Sequence, residues 1–378
     1  MALVPGYHPE SPALGQLRRE VREFIDQQVT AGRFTPDVDT WLRGWDENFT
    51  AALAERGWLG MTIPVEYGGR GRSFTERFVV TEELLAAGAP VAAHWIADRQ
   101  AAPSLLRYGT QAQKHRYLPD IAAGRLFWAI GMSEPDAGSD LASVRTRGVR
   151  VDGGWRVSGT KVWTSGAQLA HAFFLLARTE AVDNANRHAG LSQFIVPLDS
   201  DGITISPTLS MDGAHHFNEV HLDEVFVPDD MVLGTIGEGW AQVTSELSYE
   251  RSGPERFLST YRLLAGLVDD TASGNTRRHS DLGAHIARIA GLHRMSSAVA
   301  GALEQGESVA SAAAVVKVLG TSEEGDIAEL ADRVVVRDGS LSLRDMADRA
   351  LVQRPGFTLR GGTNEVLRGV IAKELGLR

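Results

Sequence analysis

The chain contains no cysteine. Disulfides, thiolate nucleophiles and cysteine-ligated metals or clusters are therefore excluded, and any redox chemistry must be carried by a bound cofactor. Positive charge is also short: 38 Lys and Arg stand against 48 Asp and Glu, a formal net charge of −10. That balance disfavours a nucleic-acid partner, whose phosphates are held mainly by Lys and Arg. No run of about 18 apolar residues occurs, so no membrane span is expected. The opening M-A-L-V-P-G-Y-H-P-E-S-P lacks a basic region followed by an apolar core, and a cytoplasmic protein is expected. His-x-x-His, Glu-x-x-His and Asp-rich loops are missing, which leaves no metal site to propose. His215 and His216 would point to opposite faces of a strand and read as structural or surface residues. The G-x-G-x-x-G dinucleotide fingerprint and its strand-turn-helix setting are absent as well.

What is present is enough chain, 378 residues, for two or three domains sharing a substantial core. Ser11 and Pro12 form a helix start, and Leu14, Leu17, Val21, Phe24, Ile25 and Val29 follow at three- and four-residue steps. A second helix through Phe49 and Leu53 stops at Gly57, and G-W-L-G-M-T-I-P-V-E-Y-G-G-R-G is too rich in glycine to be regular. Helical patterning returns from about Ser73 to Leu106 with a break near Gly88 and Pro90, so 1–125 reads as an α-helical domain. Beyond Gly124, Val149, Val151, Trp155 and Val157 alternate around Asp152-Gly153-Gly154, a hairpin signal. Further strands are expected at 172–177, 193–197, 203–209 and 219–227, with no helices between them, so 126–236 reads as an antiparallel barrel or sandwich. Helical periodicity resumes near Gly239 and continues through 237–378.

Four motifs carry candidate chemistry. G-M-S-E-P-D-A-G-S-D, residues 131–140, exposes backbone amides and hydroxyls to a ligand, or is simply a turn-rich surface loop. Trp163 with Thr164 and Ser165 ends a strand, where an indole can rest on a ring system or pack into a core. Glu250 precedes Pro254 by four residues. A helix bent there turns a carboxylate into a cleft, whereas a straight one leaves it paired with Arg251 or Arg256 in solvent. R-G-G-T-N-E-V-L-R, 360–368, is either a glycine turn whose following amides bind an anion or a plain helix start capped by Thr363.

In this order the motifs resemble the acyl-CoA dehydrogenase family of flavoproteins. The resemblance runs through G-W-L-G with Pro64 and Gly68-Gly69, Y-G-T-Q-A-Q-K and Y-L-P at 108–119, M-S-E-P-D-A-G-S-D, G-T-K-V-W-T-S, E-V-H-L-D-E-V-F-V-P at 219–228, and G-T-N-E-V-L-R followed by A-K-E-L. It implies a multidomain α+β fold: an N-terminal all-α domain, a middle antiparallel β-barrel and a C-terminal four-helix bundle, with FAD as cofactor. It also implies an acyl-CoA substrate dehydrogenated to the trans-2-enoyl-CoA, an electron-transfer flavoprotein as acceptor, and a homodimer or homotetramer, with a heteromer as the variant.

Carried over by position, the resemblance assigns FAD contacts to Ile130, Met132, Ser133, Ser139, Trp163, Thr164, Ser165, Arg277, Thr363, Asn364 and Glu365. Substrate contacts fall to Ser139, Ser248, Arg251, Gly361 and Gly362. Many relatives carry the catalytic glutamate where this chain has Gly361. A branch similar to isovaleryl- and long-chain acyl-CoA dehydrogenases carries it instead at the position of Glu250, which makes Glu250 the expected base. The family's R-x-x-F-G stretch appears only as R-R-H-S-D around Arg277, and V-R-D-G-S-L-S-L-R-D replaces its G-G-x-G-Y segment. Three rival readings are a flavin monooxygenase of the same fold, one subunit of a heteromeric dehydrogenase, and a scaffold protein.

Overall fold

The computed structural model describes residues 4–183, 185–272, 279–338 and 341–377; the side chains of 246–250, 271, 272, 279 and 335–338 lie outside the described residues. Helices α1 (Pro12–Thr30), α2 (Thr40–Arg43), α3 (Glu47–Glu55), α4 (Phe74–Ala86), α5 (Ala92–Ile96), α6 (Ala102–Tyr108) and α7 (Gln111–Ala122) come first. Strands β1 (Trp128–Gly131), β2 (Arg147–Val151), β3 (Gly154–Lys161) and β4 (Ala172–Arg178) follow. After them come β5 (Leu191–Pro197), β6 (Ile203–Thr208), β7 (Phe217–Pro228) and β8 (Val232–Leu233). Helices α8 (Gly239–Arg251), α9 (Tyr261–Ala272), α10 (His279–Glu304), α11 (Ala310–Asp338), α12 (Leu341–Leu359) and α13 (Asn364–Glu374) complete the chain. The order is helical, sheet, helical, as the sequence pattern indicated.

The chain forms two compact units, one from Met1–Phe49, Arg72–Ala92 and Ser248–Arg378, the other from Thr50–Gly71 and Ala93–Leu247. In the first, α1 starts as its sequence dictates: Ser11 Oγ accepts the Leu14 amide at 3.3 Å and Pro12 occupies the first turn. Its buried stripe of Leu17, Val21, Phe24 and Ile25 packs on α4, which also meets α10. Ser73 and Glu76 close a capping box at the start of α4. The expected break falls at Gly88, whose φ of +65° suits glycine and where a Cβ would lie 2.4 Å from the Asp37 carbonyl oxygen. Helices α9, α10, α11 and α12 pack as the C-terminal bundle, with α11 touching the other three and α13.

In the second unit the strands form one sheet in the order β6-β7-β3-β2-β4-β5-β8, with β1 added beside β4. The expected middle sheet is present and most of its pairings are antiparallel. Among the described residues no ladder joins the end strands β6 and β8, and β1 and β2 both pair with β4 in parallel. Parallel pairing needs a long crossover rather than a helix as such, and the β2-β3 hairpin with its flanking loops supplies one between β1 and β4. Every residue of β4 is buried, which is why F-F-L-L-A reads as a continuous apolar run instead of alternating. β7, in contrast, alternates: Val220, Leu222, Val225 and Val227 face inward. Trp128 joins β1 to α7, edge-on to Tyr117 at 5.4 Å and to Phe174 at 5.0 Å. No helix of the described residues is long and apolar enough to cross a membrane.

His94 on α5 is buried against Thr50, its Nδ1 2.9 Å from Thr50 Oγ1. Burial pushes the imidazole down to about 4, Asp98 opposing the shift and Arg99 adding to it. The folded protein thus keeps His94 neutral where the unfolded chain, titrating near 6.5, takes up a proton. Stability from this group is complete above 6.5 and is lost as pH falls towards 4. Between pH 7 and pH 5 this should remove about 2 kcal/mol. Denaturant unfolding at the two pH values should show that loss in the wild type and a markedly smaller one in His94→Gln. Equal losses would contradict the assignment.

Candidate functional site

The loop that leaves β1 is fastened before it can serve a ligand. Gly131 must be glycine, because a Cβ would lie 2.7 Å from the Phe173 ring. Beyond it, the Ser133 carbonyl accepts the Val162 amide at 2.9 Å, which seats Met132 and Ser133 beside the end of β3. Lys161, with no exposed side-chain surface, donates to Glu134 Oε1 at 2.7 Å and to the Met132 carbonyl at 3.0 Å. Glu134 is saturated further by the Thr146 amide on Oε1 at 2.9 Å and the Arg145 amide on Oε2 at 2.6 Å. Burial pushes Lys161 down to about 8 in spite of its partner. Burial pushes Glu134 upward, but Lys161 and the amide bonds outweigh it and hold the carboxyl below the ordinary carboxylate range.

Just after Lys161 the chain turns sharply. Trp163 has φ +58°, a left-handed backbone that is rare for a bulky residue and marks a position held by its surroundings. Its indole is 58% exposed and stands edge-on to Phe217 at 5.4 Å. Thr164 is the reverse case: it is wholly buried, and its Oγ1 has no hydrogen-bond partner among the described residues. The Thr164 amide donates to the Asn218 carbonyl and its own carbonyl accepts Asn218 Nδ2, both at 3.0 Å, which fixes the backbone that carries the hydroxyl. A buried hydroxyl without a protein partner calls for one from outside the chain. An orphan hydroxyl beside an exposed indole and the half-buried Met132 and Ser133 fits the polar edge and flat face of a flavin.

The other predicted residues of this unit are placed as follows. Ile130 lies in β1 and is partly buried, as is Ser165. Ser139 is exposed at the far end of the loop, beside Asp140, which pairs with Arg187 at 2.7 Å. His215 and His216 precede β7 instead of lying in it: His215 Nε2 bonds Asn218 Oδ1 at 2.8 Å, and the His216 carbonyl accepts the Gly166 amide. They buttress the Trp163 turn.

In the first unit, α8 ends at Arg251 and a short 3-10 turn, Pro254–Arg256, follows. The side chains of Ser248 and Glu250 lie outside the described residues, and so does Arg277. Arg251 Nε donates to the Gly361 carbonyl at 2.8 Å. Gly361 and Gly362 both take positive φ, +70° and +89°, and a Cβ on Gly362 would lie 2.9 Å from an Arg251 nitrogen. Thr363 caps α13 by accepting the Val366 amide at 3.3 Å. Asn364 turns inward, its Oδ1 accepting Lys317 Nζ at 2.8 Å and Thr321 Oγ1 at 3.2 Å, while Glu365 is exposed.

Lys161, Glu134 and Asn218, which fasten the loop and the Trp163 turn, are functional residues that the sequence motifs do not point to.

The family model described as acyl-CoA dehydrogenase, N-terminal domain, matches residues 11–125, and that described as acyl-CoA dehydrogenase, middle domain, matches 129–225. The acyl-CoA dehydrogenase FadE29 of Mycobacterium tuberculosis is 33% identical over 96% of this chain and 96% of its own length. FadE34 of the same organism is 34% identical over 87% of this chain, and the match spans 46% of FadE34, about half its length. A solved structure named Tcur3481-Tcur3483 steroid ACAD is 31% identical, covers 100% of this chain and 99% of that one, and has a TM-score of 0.83.

The buried pair makes a direct prediction. Glu134→Gln leaves the Lys161 ammonium uncompensated and should destabilise the fold by about 3–5 kcal/mol. In Glu134→Gln/Lys161→Met the uncompensated charge is gone, although the single Gln oxygen can accept only one of the amides at 145 and 146, so part of the loss should be recovered. Thermal unfolding of the three proteins checks this, and a double variant as unstable as the single one would contradict it.

Proposed function

The chain belongs to the acyl-CoA dehydrogenase family of flavoprotein oxidoreductases, and from that premise we propose that it dehydrogenates an acyl-CoA thioester between Cα and Cβ with Glu250 as the base. The observation that carries this reading is the hydrogen bond from Arg251 to Gly361. It ties the residue after Glu250 to the turn where many relatives carry their base and this chain carries none. A glycine at one place and a glutamate at the other then describe one relocated function.

Met132, Ser133, Trp163 and Thr164 are the residues that hold FAD in this reading, Thr164 through its unpartnered hydroxyl and Trp163 through its exposed face. Bound FAD supplies the acceptor for the hydride that leaves Cβ. Glu250 takes the α proton. The Gly361 amide donates to the thioester carbonyl, which stabilises enolate character and acidifies that proton, the logic of an oxyanion hole.

A bulky or branched acyl group is the substrate class favoured here, supported by the position of the base and by likeness to a steroid ACAD. An electron-transfer flavoprotein as acceptor and a homo-oligomeric assembly belong to the same proposal. That structure is named for two components, Tcur3481 and Tcur3483, which supports the alternative that this chain works beside a second, different subunit.

Glu250→Gln should retain flavin and acyl-CoA binding and lose turnover by about 10²- to 10⁴-fold. Near wild-type turnover in that variant, measured with an artificial electron acceptor, would remove Glu250 from the role of base.

A further inference from the structure

The Gly361-Gly362 turn has no side chain to anchor it, yet the proposed chemistry needs one of its amides aimed accurately. Arg251 holds the turn from one side, through the Gly361 carbonyl. The other side is set by Arg360, the residue that shares a peptide bond with the Gly361 N–H.

Arg360 is unusually placed for a residue just past a helix end. Its guanidinium is nearly buried and pairs with Asp39 at 2.7 Å. It donates to Asp39 Oδ2 at 2.8 Å and to Ser259 Oγ at 3.1 Å. It also lies 4.4 Å from the ring centroid of Trp41 and 5.0 Å from that of Phe357. Burying a guanidinium is unfavourable unless it is paired, and here Asp39 supplies the opposite charge while Asp39 and Ser259 each accept a hydrogen bond.

The partners are themselves fixed. Asp39 is 2% exposed and sits at φ +52°, a backbone conformation that an ordinary residue keeps only where its surroundings impose it. The Asp39 amide donates to the Ser259 carbonyl at 2.8 Å. Ser259 Oγ also accepts Trp41 Nε1 at 3.2 Å, and the Ser259 amide donates to the buried Glu324 Oε1 at 2.8 Å. Strained backbone, a buried charge pair and a stacked guanidinium thus converge on the residue before the turn. A helix end that needed only a stop would be served by Gly361 alone.

We propose that Arg360, locked by Asp39, Ser259 and Trp41, is a positioning residue that fixes the direction of the Gly361 N–H and so the strength of the hydrogen bond that this N–H gives to the thioester carbonyl. The inference rests on the reading of Gly361 as donor. Arg360 touches neither substrate nor cofactor in this role. Arg251 and Arg360 together hold the two peptide groups that flank Gly361, so loss of either lets the turn rotate about its glycines.

The test uses the flavin-loaded protein and acetyl-CoA labelled with ¹³C at the carbonyl. That probe has the thioester but no β carbon, so it cannot be dehydrogenated. Isotope-edited infrared spectroscopy reads the carbonyl stretch at saturating probe. In the wild type the band should move below its position in water. Arg360→Gln and Asp39→Asn should return it towards the free position, and Arg360→Lys should fall between, since a point charge keeps the pair but not the fork. With a turned-over acyl-CoA, kcat should fall about tenfold or more in Arg360→Gln while KM changes little. Variants that are less stable but keep the full wild-type band shift would overturn the proposal and leave Gly361 as donor. A wild-type band unmoved by binding would overturn the donor reading itself, and this inference with it. Should Arg360→Gln fail to fold, Asp39→Asn and Arg360→Lys give the same decision.

Discussion

A lysine with no exposed surface has to be neutralised where it stands, and that constraint organises the middle of this protein. Lys161 ends β3, and Glu134 lies in the loop after β1. Among the described residues the ammonium donates to that carboxylate and to the Met132 carbonyl, and these bonds close the loop onto the strand. Closure places the Ser133 carbonyl on the Val162 amide, and the next residues have nowhere to go except the left-handed turn at Trp163. The exposed indole and the unpartnered Thr164 hydroxyl are consequences of that closure. The pair itself adds little net stability, since two buried charges must first be taken out of water. Its contribution is to admit one arrangement of the loop and no other.

The C-terminal turn solves a related problem by different means. Glycine at 361 and 362 permits the backbone that the turn requires and removes every side chain that could hold it. Control passes to the neighbours: Arg251 on the carbonyl side, Arg360 and its buried partners on the amide side, and the inward Asn364 at the start of α13. An arginine serves better than a lysine here because its planar fork can pair with a carboxylate, reach a hydroxyl and stack on an indole at once. In both places the residues proposed to meet the ligand are small or flat, and charged side chains packed against them hold their backbone.

How much of this could be read from the chain depends on the range of the interaction. The start of α1 at Ser11 and Pro12, the break at Gly88 and the hairpin at Asp152-Gly153-Gly154 are local, and their residues declare them. The helical, sheet, helical order followed from periodicity. The parallel pairing of β1 with β4 did not, because Trp128 and its ladder partner Ala172 are far apart in sequence and nothing in W-A-I-G states its neighbour. Nor did the Asp39–Arg360 pair, whose members are separated by 321 positions. Trp163 in a left-handed conformation was unreadable for a further reason: no glycine or asparagine marks the turn, which is held by Asn218 of β7 and by the loop after β1 bound to Lys161. The motif residues were legible as a family pattern; the charges that make the pattern work were legible only in three dimensions.

In the proposed function this chain uses a flavin to take hydride from an acyl thioester. The most direct measurement of this is an anaerobic titration of the purified, flavin-loaded protein with short, branched, aromatic and steroid-side-chain acyl-CoAs, following the visible absorbance of the flavin. At least one bulky or branched acyl-CoA should bleach the flavin, and free CoA should not. A flavin that stays oxidised with every thioester, while a chemical reductant still bleaches it, would contradict the proposed function.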